Sequence, residues 1–265
     1  MKKQKEQQEI IDLDSFDDDI SLWQMIPSGT NKGTGLSLLK TYCDAALNSR
    51  AKLKSMLITG TSGLQLKITA NAFLRGLGLE KVNITDAALL QSVFDVHIFF
   101  CGDEYEGYVI TNIEKTIPSV KSYLCGLLKK QQLKPYNYME QRHDVFDVPG
   151  PVLLTSLNPK KLAGSILDSI QNTVQLEGYS SEELTLVTLQ RLKYAKIEYE
   201  NETVLKDIVQ YGNNEYDKVI TFLGLCIVVM QSKCRQELML CDVVKAARLN
   251  KLPVIDDHFE DTIPF

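Results

Sequence analysis

Apolar residues follow two rhythms along this chain. Leu36–Ala51 places Leu38, Leu39, Tyr42, Ala45 and Ala46 at helical spacing. Ser55-Met-Leu-Ile-Thr59 is a short apolar run that ends in Gly60-Thr-Ser-Gly63, and it reads as a buried strand stopped by a glycine turn. Helical spacing returns over Lys67–Leu77 through Ala70, Ala72, Phe73 and Leu77, with Gly76 and Gly78 closing the segment. A strand, a glycine turn and a helix in that order open an α/β domain. Tyr108-Val-Ile-Thr111 and Pro151-Val-Leu-Leu-Thr155 predict further strands, with a helix over Ser119–Lys130 between them. Residues 131–149, which carry Pro135, Tyr136, Tyr138, His143 and Asp144, read as a long exposed connection.

Beyond Tyr179 the pattern is helical throughout. Ser180-Ser-Glu-Glu183 is a capping box: the serine hydroxyl accepts from the third amide while the glutamate reaches back. Asn201 caps a second helix through Gln210, and residues 214–232 and 240–249 predict two more. The predicted organisation is a polar, acidic tail over 1–19, an α/β domain over 20–178, a helical domain over 179–250 and an acidic tail over 251–265. The stretch Ile26-Pro-Ser-Gly-Thr-Asn-Lys-Gly-Thr-Gly35 is a loop by its breakers.

Composition narrows the classes. The 265 residues are 44% hydrophobic and 24% charged, which excludes a disordered or collagen-like chain. A net charge of −5 excludes a generally basic nucleic-acid coat. The doublets Lys129-Lys130 and Lys160-Lys161 are sparse for DNA binding, in which phosphate contacts dominate. The six cysteines form no C-x-x-C pair, so neither a disulfide scaffold nor a zinc site is expected. Phe222–Met230, the longest apolar run, falls far short of the roughly 20 residues of a membrane span. A cytoplasmic protein with no membrane partner is expected. His143-Asp144 reads as loop surface, and Asp256-Asp257-His258 as part of a solvated tail, so no metal is assigned.

The candidate chemistry lies at Gly60-Thr-Ser-Gly-Leu-Gln-Leu-Lys-Ile-Thr69. A phosphate loop at this place needs glycines that aim backbone amides at phosphate, a lysine for the β/γ oxygens and a hydroxyl for Mg²⁺. Gly60, Thr61, Ser62, Gly63 and Leu64 stand at the first positions of such a loop. Gln65 then stands at the second glycine position, Leu66 at the lysine position and Lys67 at the hydroxyl position.

The wider pattern resembles the AAA+ ATPase family, most closely its Holliday-junction branch-migration motors. Gly60–Gly78 is similar, without a gap, to the family's G-P-P-G-L-G-K-T-T-L-A-N helix, agreeing at Gly60, Gly63, Leu64, Ala70, Asn71 and Gly78. Tyr108–Val120 is similar to the Walker B segment L-F-I-D-E-I-H-R-L-N-R-S-V. Val152–Leu184 resembles the sensor-1 strand and its sequel, with Gly-Tyr-Ser-Ser-Glu-Glu-Leu against F-Y-T-V-E-E-L. The resemblance runs from about residue 22 to 250. It implies a three-layer P-loop NTPase domain with a parallel sheet and a small helical lid, ATP or ADP with Mg²⁺ as ligand, and ring assembly on DNA. The winged-helix domain that ends those motors has no counterpart up to Phe265.

The family's charged positions are changed. Thr111 and Asn112 stand at the Walker B acids, where neither supplies an anionic Mg²⁺ ligand or a base toward water. Leu167-Asp-Ser169 holds no arginine finger, a group worth roughly 10³–10⁵ in rate in related NTPases. Glu215 stands at the sensor-2 arginine, and Ser156 is the polar residue left at sensor 1. A catalytically degenerate scaffold that joins a protein partner, such as an active AAA+ subunit, is therefore expected. The alternative is an active DNA motor or loader built on Lys67, with Asp103 and Glu104 after the apolar run Val96–Phe100 as a second Walker B.

Overall fold

The computed structural model describes residues 19–27, 35–49, 53–101, 104–133 and 146–253. The described residues divide into two compact units, one over Ile20–Glu183 and one formed by residues 184–253 together with Asp19. The expected loop at 28–34, the pair His143-Asp144, Asp103 and both expected tails (except Asp19 and residues 251–253) lie outside the described residues.

The first unit runs α1 (Gly35–Ser49), β1 (Ser55–Thr59), α2 (Gly63–Gly76), β2 (Val82–Asp86), α3 (Val93–Phe100), β3 (Gly107–Thr111), α4 (Pro118–Lys130), β4 (Val152–Ser156), α5 (Gly164–Leu167) and β5 (Asn172–Gln175). The five strands form one sheet in the order β2-β3-β4-β1-β5. Every pairing in it is parallel, with Thr59 opposite Ser156 and Asp86 opposite Thr111. The central strands β1 and β4 are buried at every position, which is why they read as continuous apolar runs. Leu57, Tyr108, Ile110 and Leu154 from three strands share one core with Phe100 of α3 and Leu124 of α4. Tyr108 anchors it, its ring 4.7 Å from Phe100 and its hydroxyl donating to the Phe100 carbonyl. The expected connection 131–149 holds a short antiparallel pair, Gln132–Leu133 with Phe146–Asp147.

Three local expectations need correction. Val96–Phe100 is helical, inside α3, where the alternative second Walker B needs a strand. Ser92 caps this helix by accepting from the Asp95 amide, while Val96, Phe99 and Phe100 turn inward. Helix α2 begins at Gly63, four residues earlier than the expected Lys67. The edge strands β2 and β5 were not expected at all.

The second unit contains α6 (Ser181–Tyr194, which begins in the first unit), α7 (Glu202–Tyr211), α8 (Tyr216–Ser232) and α9 (Leu240–Leu249), plus a short strand pair, Glu198–Tyr199 with Glu237–Leu238. The capping box of α6 is formed, with Glu183 accepting from the Ser180 amide at 2.7 Å and the Ser180 hydroxyl accepting from the Glu183 amide at 3.3 Å. Asn201 caps α7 through the amides of Thr203 and Val204. Asp242 is fully buried. Its carboxylate takes a hydrogen bond from the Met239 amide and pairs with Arg235 and, at 2.8 Å, with Lys233. No helix among the described residues is long and apolar enough to cross a membrane.

Candidate functional site at the carboxyl edge of the sheet

The crevice outside the carboxyl ends of the strands is where open parallel sheets hold ligands. The sheet brings the ends of β3, β4 and β1 side by side there, and with them Thr111-Asn112, Ser156 and Gly60. The Gly60 amide donates to the Ser156 carbonyl at 3.3 Å, so two of the expected site segments touch through the backbone.

The loop after β1 is short. Only Gly60, Thr61 and Ser62 separate strand from helix. Ser62 is the N-cap of α2, its hydroxyl accepting from the Gln65 amide at 3.0 Å and its carbonyl from the Leu66 amide at 3.1 Å. The Gly60, Gln65 and Leu66 amides are therefore spent within the protein. Leu66 is completely buried. A Cβ on Gly60 would lie 3.1 Å from a Leu66 methyl and 3.3 Å from the Leu176 carbonyl oxygen, so glycine is needed there for close approach. Gln65 is 2% exposed, and its amide group donates to the Glu177 carbonyl at 3.4 Å. Lys67 is exposed on α2. One residue along a helix turns a side chain by about 100°, which separates the direction of Lys67 from that of Leu66.

The other positions are occupied by internal bonds. Thr111 donates its hydroxyl to the Thr85 carbonyl at 3.2 Å. Asn112 adopts a left-handed conformation at φ 54° and donates to the Asp86 carboxylate at 2.6 Å. Asp86, which ends β2, also accepts from the Ala88 amide and lies 4.0 Å from the Lys115 ammonium. Ser156 is fully buried, its hydroxyl accepting from the Asn158 amide at 3.1 Å. Leu167 is exposed, and Ser169 bonds back to the Ser165 carbonyl. Glu215 belongs to the second unit, where it pairs with Lys218 at 2.7 Å. Glu104 stands exposed in the turn that follows α3, not at the end of a strand.

Glu114 is the carboxylate that the sequence reading overlooked. It sits three residues beyond the end of β3, and one oxygen accepts from the Leu157 amide at 3.3 Å. Its Oε2 is buried without a hydrogen-bond partner among the described residues. Leu157 in turn lies 3.8 Å from where a Gly63 Cβ would be, so Glu114 reaches the start of α2 through one side chain. The only signal in the sequence is an acid three residues after a strand, which is too common to select.

Tested on these contacts, the residues do not fit a magnesium nucleotide. The loop is too short to wrap a phosphate, a buried leucine stands at the lysine position, the side chains that end β3 and β4 are neutral and already bonded, and Asp86 at the end of β2 is held by Asn112 and Lys115. No group of three or more metal-binding side chains occurs among the described residues. A cavity of about 280 Å³ is lined by Leu47, Leu53, Leu77, Leu79, Val148 and Pro151 among others, but it lies at the amino edge of the strands, away from these residues.

Comparison with known proteins identifies the class by fold. A single-substitution variant of Thermotoga maritima RuvB superposes with a TM-score of 0.70 at 16% identity, covering 91% of this chain and 75% of that one. The Thermotoga maritima RuvB Holliday junction branch migration motor matches with a TM-score of 0.65 at 14% identity, covering 83% of this chain and 69% of that one. The chain thus has the α/β fold of the AAA+ protein RuvB, with a five-stranded parallel sheet, and the expectation of that fold is borne out. No family model matches the chain, and no curated protein matches it.

Proposed function

We propose that this protein is a RuvB-like AAA+ module that does not hydrolyse ATP and serves as a scaffold or partner subunit. The observation that carries the reading is the buried Leu66 at the lysine position of a three-residue loop. Phosphoryl transfer depends almost wholly on positioning and charge neutralisation. A site with Thr111, Asn112, Ser156 and Leu167 at its charged positions supplies neither. Residues 20–178 act as the core module and 179–250 as its lid, in the cytoplasm. The partner is a protein, best matched by an active AAA+ subunit that takes no arginine from this chain. DNA is a weaker second partner, held through that assembly.

Steady-state ATP hydrolysis with Mg²⁺ tests the reading. The expected result is no turnover above background in the wild type, with Lys67→Ala indistinguishable from it. Turnover that Lys67→Ala abolishes would overturn the proposal and restore the motor reading built on Lys67, Asp103 and Glu104. Light scattering supplies a second check: the scaffold reading expects the same mass with and without ATP, and an ATP-dependent homohexamer contradicts it.

A further inference from the structure

In the crevice where a P-loop fold holds its nucleotide, this chain packs against itself. The segment leaving β5 lies on the loop leaving β1 through three contacts. The Leu176 amide donates to the Thr59 carbonyl at 2.7 Å. The Gln65 side chain donates to the Glu177 carbonyl. A Cβ on Gly178 would lie 3.3 Å from the Thr61 hydroxyl, so that backbone approaches the loop closely. Leu66 and Leu176, both buried, fill the space between.

We infer that Gln65 is a strut that keeps the loop 60–62 closed on residues 176–178 without any nucleotide. The disagreement between fold and residues carries this inference. A buried side-chain amide must find partners. Gln65 finds one on the segment that continues into α6. The strut therefore couples the start of α2 to the exit of β5 by a bond that needs no nucleotide to form. The inference rests on the scaffold reading only in assigning the loop no ligand. It extends that reading by naming a residue that does a ligand's positioning work. Gln65 is a positioning residue, since it touches no substrate.

Amide hydrogen exchange on the full chain tests the strut. In the wild type, protection at 60–66 and 176–180 is expected to be the same with and without millimolar Mg–ATP. Gln65→Met keeps the length and loses the donor. It is expected to speed exchange at 176–180 by about three- to tenfold while β1 and β4 keep their protection, as for the loss of one neutral hydrogen bond. Gln65→Glu separates this from general loosening. At pH 7 its carboxylate cannot donate and exchange rises. Well below the ordinary glutamate pKa of about 4.3 it is protonated and donates again, so exchange returns toward wild type at that same pH. Exchange at 176–180 within twofold of wild type in Gln65→Met, no acid recovery in Gln65→Glu, or protection gained on adding Mg–ATP would each overturn the strut. If Gln65→Met does not fold, Gln65→Asn, too short to reach Glu177, is read in the same way. Failure of the strut without ATP turnover leaves the scaffold reading standing, and turnover abolished by Lys67→Ala removes that reading independently.

Discussion

The two units differ in where they bury charge. At the carboxyl edge of the sheet, this chain has the buried Leu66 and the neutral pair Thr111 and Asn112 beside the internally bonded Asp86. In the second unit, Asp242 is completely buried between Lys233 and Arg235, and Arg191 is completely buried with its guanidinium donating to the Tyr216 hydroxyl at 3.3 Å. A buried charge costs several kcal/mol in desolvation and persists only where partners compensate it. The fully buried charges of the second unit therefore organise its helices. At the sheet edge the carboxylates present are tied to the chain's own groups, Asp86 to Asn112 and Lys115 and Glu114 to the Leu157 amide.

The largest expected effect tests the charged side of this contrast. Asp242→Ala removes the acceptor for Lys233, Arg235 and the Met239 amide together. A loss of about 3–5 kcal/mol is expected in the urea transition of the second unit, because two cations are left facing a buried gap. A loss below about 1 kcal/mol would mean that this cluster is no more structural than the sheet edge.

The second test uses pH. Burial, and then the Asp242 carboxylate, push the Cys226 thiol far above its ordinary value of 9.0, so the folded chain keeps it neutral. The unfolded chain ionises it near pH 9. This contribution to stability is therefore complete below pH 9 and declines above it, by about 1.4 kcal/mol per pH unit. Denaturant midpoints measured from pH 8 to 10.5 should fall more steeply in the wild type than in Cys226→Val. Parallel curves would show that the thiol near Asp242 titrates freely. Cys43, raised by burial and by Asp44, contributes in the same direction.

The smallest effect belongs to the sheet edge. Ser62→Ala removes the cap of α2 and is expected to cost about 1 kcal/mol in the first unit's transition, with no change in any response to nucleotide. Loss of a nucleotide-induced shift in melting temperature would show that Ser62 serves phosphate as well as the helix.

Much of the architecture is legible from the sequence, and the misses have physical reasons. β1 and β4 are buried on both faces, so their apolar runs stand out. β2 is half-buried along its whole length, and β5 buries only Val174, so neither edge strand carries a run to notice. Val96–Phe100 misleads because a short apolar run fits a strand as well as a helix. The discriminating signal was Ser92 three residues before Asp95, a capping pair that the hydroxyl–carboxylate contact of 2.9 Å now displays. The early start of α2 had the same kind of signal. Ser62-Gly-Leu-Gln65 has the capping-box spacing, and reading it as a phosphate loop hid the helix start. The tertiary partners of Gln65 and Glu114 depend on segments remote in sequence, so no local pattern reveals them.

The strand order sets a schedule for synthesis. β1 is made first but pairs only with β4 and β5, on the order of 100 residues later. At about 5–20 residues per second, Ser55-Met-Leu-Ile-Thr59 waits roughly 5–20 s on the ribosome before a neighbour exists for it. An unpaired apolar strand held that long is an opening for aggregation or for a chaperone. The helix that follows it, α2, with its serine cap and buried face, is the first element able to shelter it.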